Sequence, residues 1–109
     1  MSEELSYKVI KLIEDDAEIS QRELSKKLDV SLGRVNYCLR ALKDKGWVKA
    51  KNFKNKQNKL AYRYLITPHG MQEKVALTAR FLKRKLVEFE ELQLEIEILR
   101  NEVKEAKVV

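Results

Sequence analysis

The chain has 109 residues, 44% of them hydrophobic and 37% charged, which is one domain or one domain with an extension, and enough apolar material for a small core rather than wholesale disorder. Three glycines and one proline leave few turns and exclude a many-stranded β-sandwich, while no apolar run is long enough for a membrane span or a signal-peptide core. One cysteine and one histidine exclude an internal disulfide and an ordinary Cys/His zinc site, so the chain reads as reduced and cytoplasmic; its formal net charge is +6.

The first helix is expected from about Glu3 to Asp15, where Leu5, Val9, Leu12 and Ile13 recur at helical spacing. Ser2 is its N-cap. Residues 1–19 carry a net charge of −4. The next 44 residues, 20–63, carry +10, and the remainder is neutral, so the whole basic excess lies in the middle of the chain. Such a concentration attracts nucleic acid by counterion release. It also suits a lysine-rich face kept for solubility, and geometry has to choose.

The second helix starts at a capping box, Ser20-Gln21-Arg22-Glu23, with Ile19 stapled onto Leu24. It ends near Asp29. A third helix follows at once, capped by Ser31. Val35, Leu39 and Leu42 form its inward stripe, and Gly46 is its C′ residue. The opposite face carries Gly33, Asn36, Tyr37 and Arg40. Two short helices with a three-residue connection and a polar face on the second describe a helix-turn-helix. Asn and Arg pair bidentately with adenine and guanine edges, and Gly33 lets the backbone approach phosphate.

Trp47–Phe53 and Leu60–Thr67 are expected strands, the second alternating Leu60, Tyr62, Tyr64 and Ile66. The tip between them, Lys54-Asn55-Lys56-Gln57-Asn58-Lys59, is basic and amide-rich. No acid occurs between Asp44 and Glu73. A hairpin of this kind after a helix-turn-helix is a wing, whose tip lies along a phosphate backbone or in a minor groove. The bland alternative is a polar turn.

Thr67-Pro68 restarts helix, which runs unbroken to about Ala106. Val75, Leu82, Phe89, Ile96 and Val103 fall at sevens. Leu92 and Leu99 supply the d positions of the last two heptads, while Ala79 and Leu86 flank the seam earlier. A lone helix cannot bury that stripe. Pairing with a second copy does, and folding back on its own domain is the alternative. The expected fold is therefore mostly α, an α+β winged helix-turn-helix over residues 1–67 with a long C-terminal coiled-coil helix over 68–109.

With Ile19-Ser20-Gln21-Arg22-Glu23-Leu24, Ser31 to Leu39, Lys45-Gly46-Trp47-Val48-Lys49 and Tyr64 to Gly70, the chain resembles MarR-type winged-helix regulators. The resemblance is strongest to the small group associated with exopolysaccharide gene clusters. It implies a homodimer that binds specific double-stranded DNA and controls transcription, extending to polysaccharide genes. It places the recognition helix at Ser31 to Arg40 and the wing tip at Lys54 to Lys59. Larger members add helices at both ends that form a dimer domain and a ligand cleft; here one long helix follows the wing. Their acidic-plus-arginine wing tip is replaced by lysines and amides.

The DNA-contacting set is then Gln21, Arg22, Ser31, Leu32, Gly33, Arg34, Asn36, Tyr37, Arg40, Lys51, Lys54, Asn55, Lys56, Asn58 and Lys59. The dimer set is Leu82, Leu86, Phe89, Leu92, Ile96, Leu99 and Val103. Cys38 is a small core residue without a resolving partner, His69 is structural, and Trp47 anchors helix to wing. Tyr37 either meets DNA or covers Leu60. No catalytic constellation, metal site or cofactor motif is present, so the chain is not an enzyme. The competing class is a winged-helix protein-interaction module, or a nucleic-acid binder without an operator.

Overall fold

The computed structural model describes residues 2–106. The elements are α1 (Glu3–Asp15), α2 (Gln21–Leu28), α3 (Leu32–Asp44), β1 (Val48–Lys54), β2 (Leu60–Ile66) and α4 (Pro68–Glu105). This is the expected winged helix-turn-helix followed by a long helix. The chain divides into two compact units, the first ending at Thr78 and the second beginning at Ala79, so the division falls within α4.

Local chemistry sets each boundary. The Ser2 hydroxyl accepts from the Leu5 amide and starts α1. At α2 the box is reciprocal: the Glu23 amide donates to Ser20 Oγ at 3.0 Å, and the Ser20 amide donates to Glu23 Oε1 at 3.2 Å. Asp29 turns the chain in the left-handed region, φ 53°. Ser25 Oγ then donates to the Val30 carbonyl at 2.5 Å, closing the turn between α2 and α3. Ser31 accepts from the Arg34 amide at 3.1 Å to start α3.

The end of α3 is a Schellman motif. The Gly46 amide donates to the Lys43 carbonyl and the Trp47 amide to the Leu42 carbonyl, with Gly46 at φ 75°. Capping uses the Trp47 amide, so β1 begins at Val48 rather than at Trp47. β1 and β2 pair antiparallel in the register Val48↔Ile66 to Lys54↔Leu60.

The core joins every element of the first unit. It contains Leu5, Val9, Ile10 and Ile13 of α1, Ile19, Leu24, then Val35, Cys38, Leu39 and Leu42 of α3, Val48, Tyr64, and Leu77 of α4. The Tyr64 amide donates to the Ala17 carbonyl at 2.8 Å, tying β2 to the segment after α1. The Glu14 carboxylate pairs with Lys74. The expected alternation along β2 buries only Tyr64 fully and Ile66 in part. Leu60 and Tyr62, on the same face, are exposed. The core is two residue pairs deep along the hairpin, and the outer half of the wing projects beyond it.

The start of α4 is locked onto the end of α3. The Thr67 amide donates to the Trp47 carbonyl at 3.0 Å, and Thr67 Oγ1 donates to the Gly46 carbonyl at 2.6 Å while accepting from the Gly70 amide. Gly70 is buried there, and a Cβ on it would lie 2.1 Å from the Trp47 carbonyl oxygen. A backbone carbonyl held by two helix caps cannot move aside. Gly70→Ala is expected to cost about 1–3 kcal/mol, the usual penalty of overpacking. Thermal unfolding should show a drop of several degrees, and an unchanged midpoint would refute this packing.

Candidate nucleic-acid interface

Burial of Val35, Cys38, Leu39 and Leu42 orients α3 completely. The residues left outside are Ser31, Leu32, Gly33, Arg34, Asn36, Tyr37 and Arg40, all exposed. The expected reading face is thus the solvent face of α3. Arg22 of α2 is exposed beside it, and Gln21 is half-buried.

A groove runs between this face and the wing. Glu18, Ser20, Gln21, Arg22, Leu32 and Asn36 line one wall; Asn55, Gln57, Lys59, Leu60 and Tyr62 line the other. Tyr64, whose ring stacks on Tyr62 at 6.3 Å, closes the floor. The Asn36 side-chain amide donates to Gln21 Oε1 at 3.3 Å, which fixes its position above the floor. Burial raises the Tyr64 hydroxyl above its usual pKa, a hydrogen bond with Gln21 opposing that rise. Gln21 therefore spends much of its capacity inside the protein, holding Asn36 and Tyr64.

The wing tip is a built turn. Asn55 Oδ1 accepts from the amides of Gln57 and Lys59, both at 3.0 Å, and the Asn58 amide donates to the Asn55 carbonyl. Asn58 takes φ 59°, a conformation that Asn tolerates better than most residues. Both asparagines were expected to face DNA; their visible work is to shape the turn that presents Lys54, Lys56 and Lys59. Register pairs Lys54 with Leu60 and Lys51 with Arg63, and Lys54 and Lys56 line a second hollow with Phe53, Arg63 and Glu18. Arg63 lies 5.0 Å over the Phe53 ring and 3.6 Å from Glu18. Among the described residues, Arg22, Arg34, Arg40, Lys54, Lys56 and Lys59 form no ion pair, so their charge is not neutralised internally.

Tyr37 is 66% exposed and lines a hollow with Ser2, Leu5, Ser31, Gly33 and Arg34. Leu60 is itself 68% exposed and lines the groove instead, so Tyr37 is not its cover. Gln57, Leu60 and Tyr62 line the groove, and sequence reasoning did not select them. Leu60 and Tyr62 carried the signal of an inward face, but only tertiary structure shows where the core beneath that face stops.

Cys38 is fully buried with its Sγ 4.0 Å from Ser6 Oγ. Burial pushes the thiol pKa up from about 9, with Ser6, Lys45 and Arg34 opposing. His69 is exposed, its ring edge-on to Trp47 at 6.3 Å. Trp47, half-buried, packs against the core and lies under Lys45 Nζ at 4.7 Å. Among the described residues no group of three or more His, Cys, Asp or Glu side chains could hold a metal, and no helix is long and apolar enough to cross a membrane.

Comparison with known proteins agrees with this architecture. A family model described as winged helix-turn-helix DNA-binding matches residues 2–49. No curated protein matches. Among solved structures, the transcriptional regulator PcaV of Streptomyces coelicolor is 14% identical over 96% of this chain and 79% of its own, with a TM-score of 0.63. A MarR family transcription regulator is 14% identical over 96% and 74%, TM-score 0.58. FabT of Streptococcus pneumoniae, solved in complex with DNA, is 22% identical over 98% and 76%, TM-score 0.55. The fold is the winged helix-turn-helix of MarR-type regulators. PcaV and the MarR family protein are transcription regulators.

The buried thiol of this winged helix gives a direct check on the core. A folded-state pKa raised by burial favours the protonated thiol, so its contribution to stability is present below the unfolded thiol pKa and is lost as pH rises above it. The native protein at pH 8 should therefore react with an aromatic disulfide reagent only as fast as it opens, and promptly once unfolded in urea. Rapid reaction of the native protein would contradict the burial of Cys38.

Proposed function

We propose that this chain is a MarR-type transcription regulator that binds specific double-stranded DNA as a homodimer. One observation carries the reading: Leu32 and Asn36 of α3 share one groove with the wing tip, and its cations Arg22 and Lys59, like Arg34 and Arg40 on the exposed face of α3, form no ion pair among the described residues. In this reading the α3 face enters the major groove, with Ser31, Gly33, Arg34, Asn36, Tyr37 and Arg40 meeting the duplex. Arg40 and Asn36 read base edges. Arg22, Lys51, Lys54, Lys56 and Lys59 meet phosphates, which position the protein without carrying sequence information. Gln21 acts through Asn36.

Residues 1–67 bind DNA and residues 68–109 hold two copies together through Leu82, Leu86, Phe89, Leu92, Ile96, Leu99 and Val103. Residues 107–109 lie outside the described part of the chain. Those seven side chains are all exposed in the single chain. A two-fold dimer addresses a pseudo-palindrome with half-sites about 34–36 Å apart or a multiple of that. Control of polysaccharide genes, and a cytoplasmic setting, rest on the resemblance of the Ile19–Leu24 and Ser31–Leu39 strings.

The test is selection of bound duplexes from random DNA at physiological salt, followed by variants on the selected site. Arg40→Ala should lose about 1–3 kcal/mol and relax base choice at one position. Lys56→Ala should weaken all duplexes alike and lower the salt slope by about one. Gly33→Ala has open space for its Cβ, the nearest atom being Ser31 Oγ at 4.0 Å. It should leave the fold intact or slightly stabilised yet weaken binding. Uniform, salt-sensitive binding without a consensus would replace this reading with a non-specific one.

A further inference from the structure

We infer that α4 pairs with a second copy running parallel to it from Phe89 to Val103, its direction set by Glu95 and Arg100. This rests on the homodimer proposed above and adds to it the interface geometry. The seam residues Phe89, Leu92, Ile96, Leu99 and Val103 are each 40–58% exposed in the single chain. Phe89, Ile96 and Val103 occupy a positions; Leu92 and Leu99 occupy d. Within a parallel coil, β-branched Ile96 and Val103 at a with leucine at d favour two strands over three or four. Leu82 and Leu86 add apolar contact ahead of this stretch. A regular seam stops at Phe89, because the preceding d position is Lys85, held in its own helix by Glu88 at 3.0 Å and lying 5.2 Å over the Phe81 ring.

The flanks decide the direction. Glu88, Glu95 and Glu102 occupy the g positions, and Gln93 and Arg100 the e positions. In a parallel pair, each g residue faces the e residue five positions later on the partner. That sets Glu88 against Gln93 and Glu95 against Arg100, each twice by symmetry. In an antiparallel pair g faces g and e faces e, which sets glutamate against glutamate. Neither Glu95 nor Arg100 forms an ion pair within its own chain among the described residues. Their charges are available to the second copy.

Two measurements on the full chain test this. Val103→Cys places a thiol at an a position near the end of the seam, where only a parallel partner offers the same residue. The expected result is a dimer by light scattering, with Val103→Cys forming a disulfide-linked dimer under mild oxidation and Asn101→Cys, on the outer face, not doing so. A dimer in which Val103→Cys fails to cross-link would overturn the parallel arrangement and leave the homodimer standing; a monomer would overturn both. Arg100→Glu turns two attractive pairs into two repulsive ones and should weaken the dimer roughly tenfold at low salt. Adding Glu95→Arg should restore it. An unchanged Arg100→Glu dimer would remove the assigned pair.

Discussion

Burial of one side of α3 is the constraint from which the rest of the interface follows. Val35, Cys38 and Leu42 are wholly enclosed and Leu39 is 1% exposed. Each such side chain contributes on the order of 1.5–3 kcal/mol relative to exposure. Turning the helix by a single residue position would bring Asn36 or Arg40 inward and expose part of that stripe. The cost of burying an unpaired guanidinium alone exceeds what a small domain has in reserve. The outward direction of the polar face is thus a by-product of core packing, and no feature of the polar residues themselves is needed to aim them.

The same core sets the position of the wing. Val48 and Tyr64 enter it, the Tyr64 amide bonds the Ala17 carbonyl, and the hairpin leaves the core after that point. Beyond it, Leu60, Tyr62 and the tip residues Asn55, Gln57 and Lys59 border the groove shared with Leu32 and Asn36 of α3. At the opposite end of α3, the Gly46–Trp47 turn is clasped by Thr67 and Gly70. α3 is therefore held at its cap, along its length and at its terminus. A surface built in this way meets a ligand with little loss of conformational freedom.

Much of this was legible in the chain. Ser2, Ser20, Ser31 and Gly46 mark helix ends by chemistry that acts over three or four residues, and each stands where expected. The inward stripe of α3 and the burial of Leu5, Val9 and Ile13 in α1 followed from 3.6-residue spacing, whereas Leu12 is only half-buried and Ile10, fully buried, was not in the expected set. What sequence did not reveal depends on distance in space. The alternation of Leu60, Tyr62, Tyr64 and Ile66 identifies a common face but carries no information on how far the core extends beneath it. The tie from Asn36 to Gln21 joins residues fifteen positions apart. Gly70 had no visible role until the Trp47 carbonyl was found against it. Asn55 and Asn58 have amide side chains suited to bases and to turns alike, and only the hydrogen bonds at the tip show the turn.

The central claim is that the solvent face of α3 and the wing tip together contact duplex DNA. Amide chemical shifts of the labelled protein, followed as a selected duplex is titrated in, test it most directly. The account predicts that the largest changes map to residues 31–40 and 54–59, with residues 89–105 nearly still. Changes concentrated on α1 or on α4, with α3 and the wing unmoved, would contradict it.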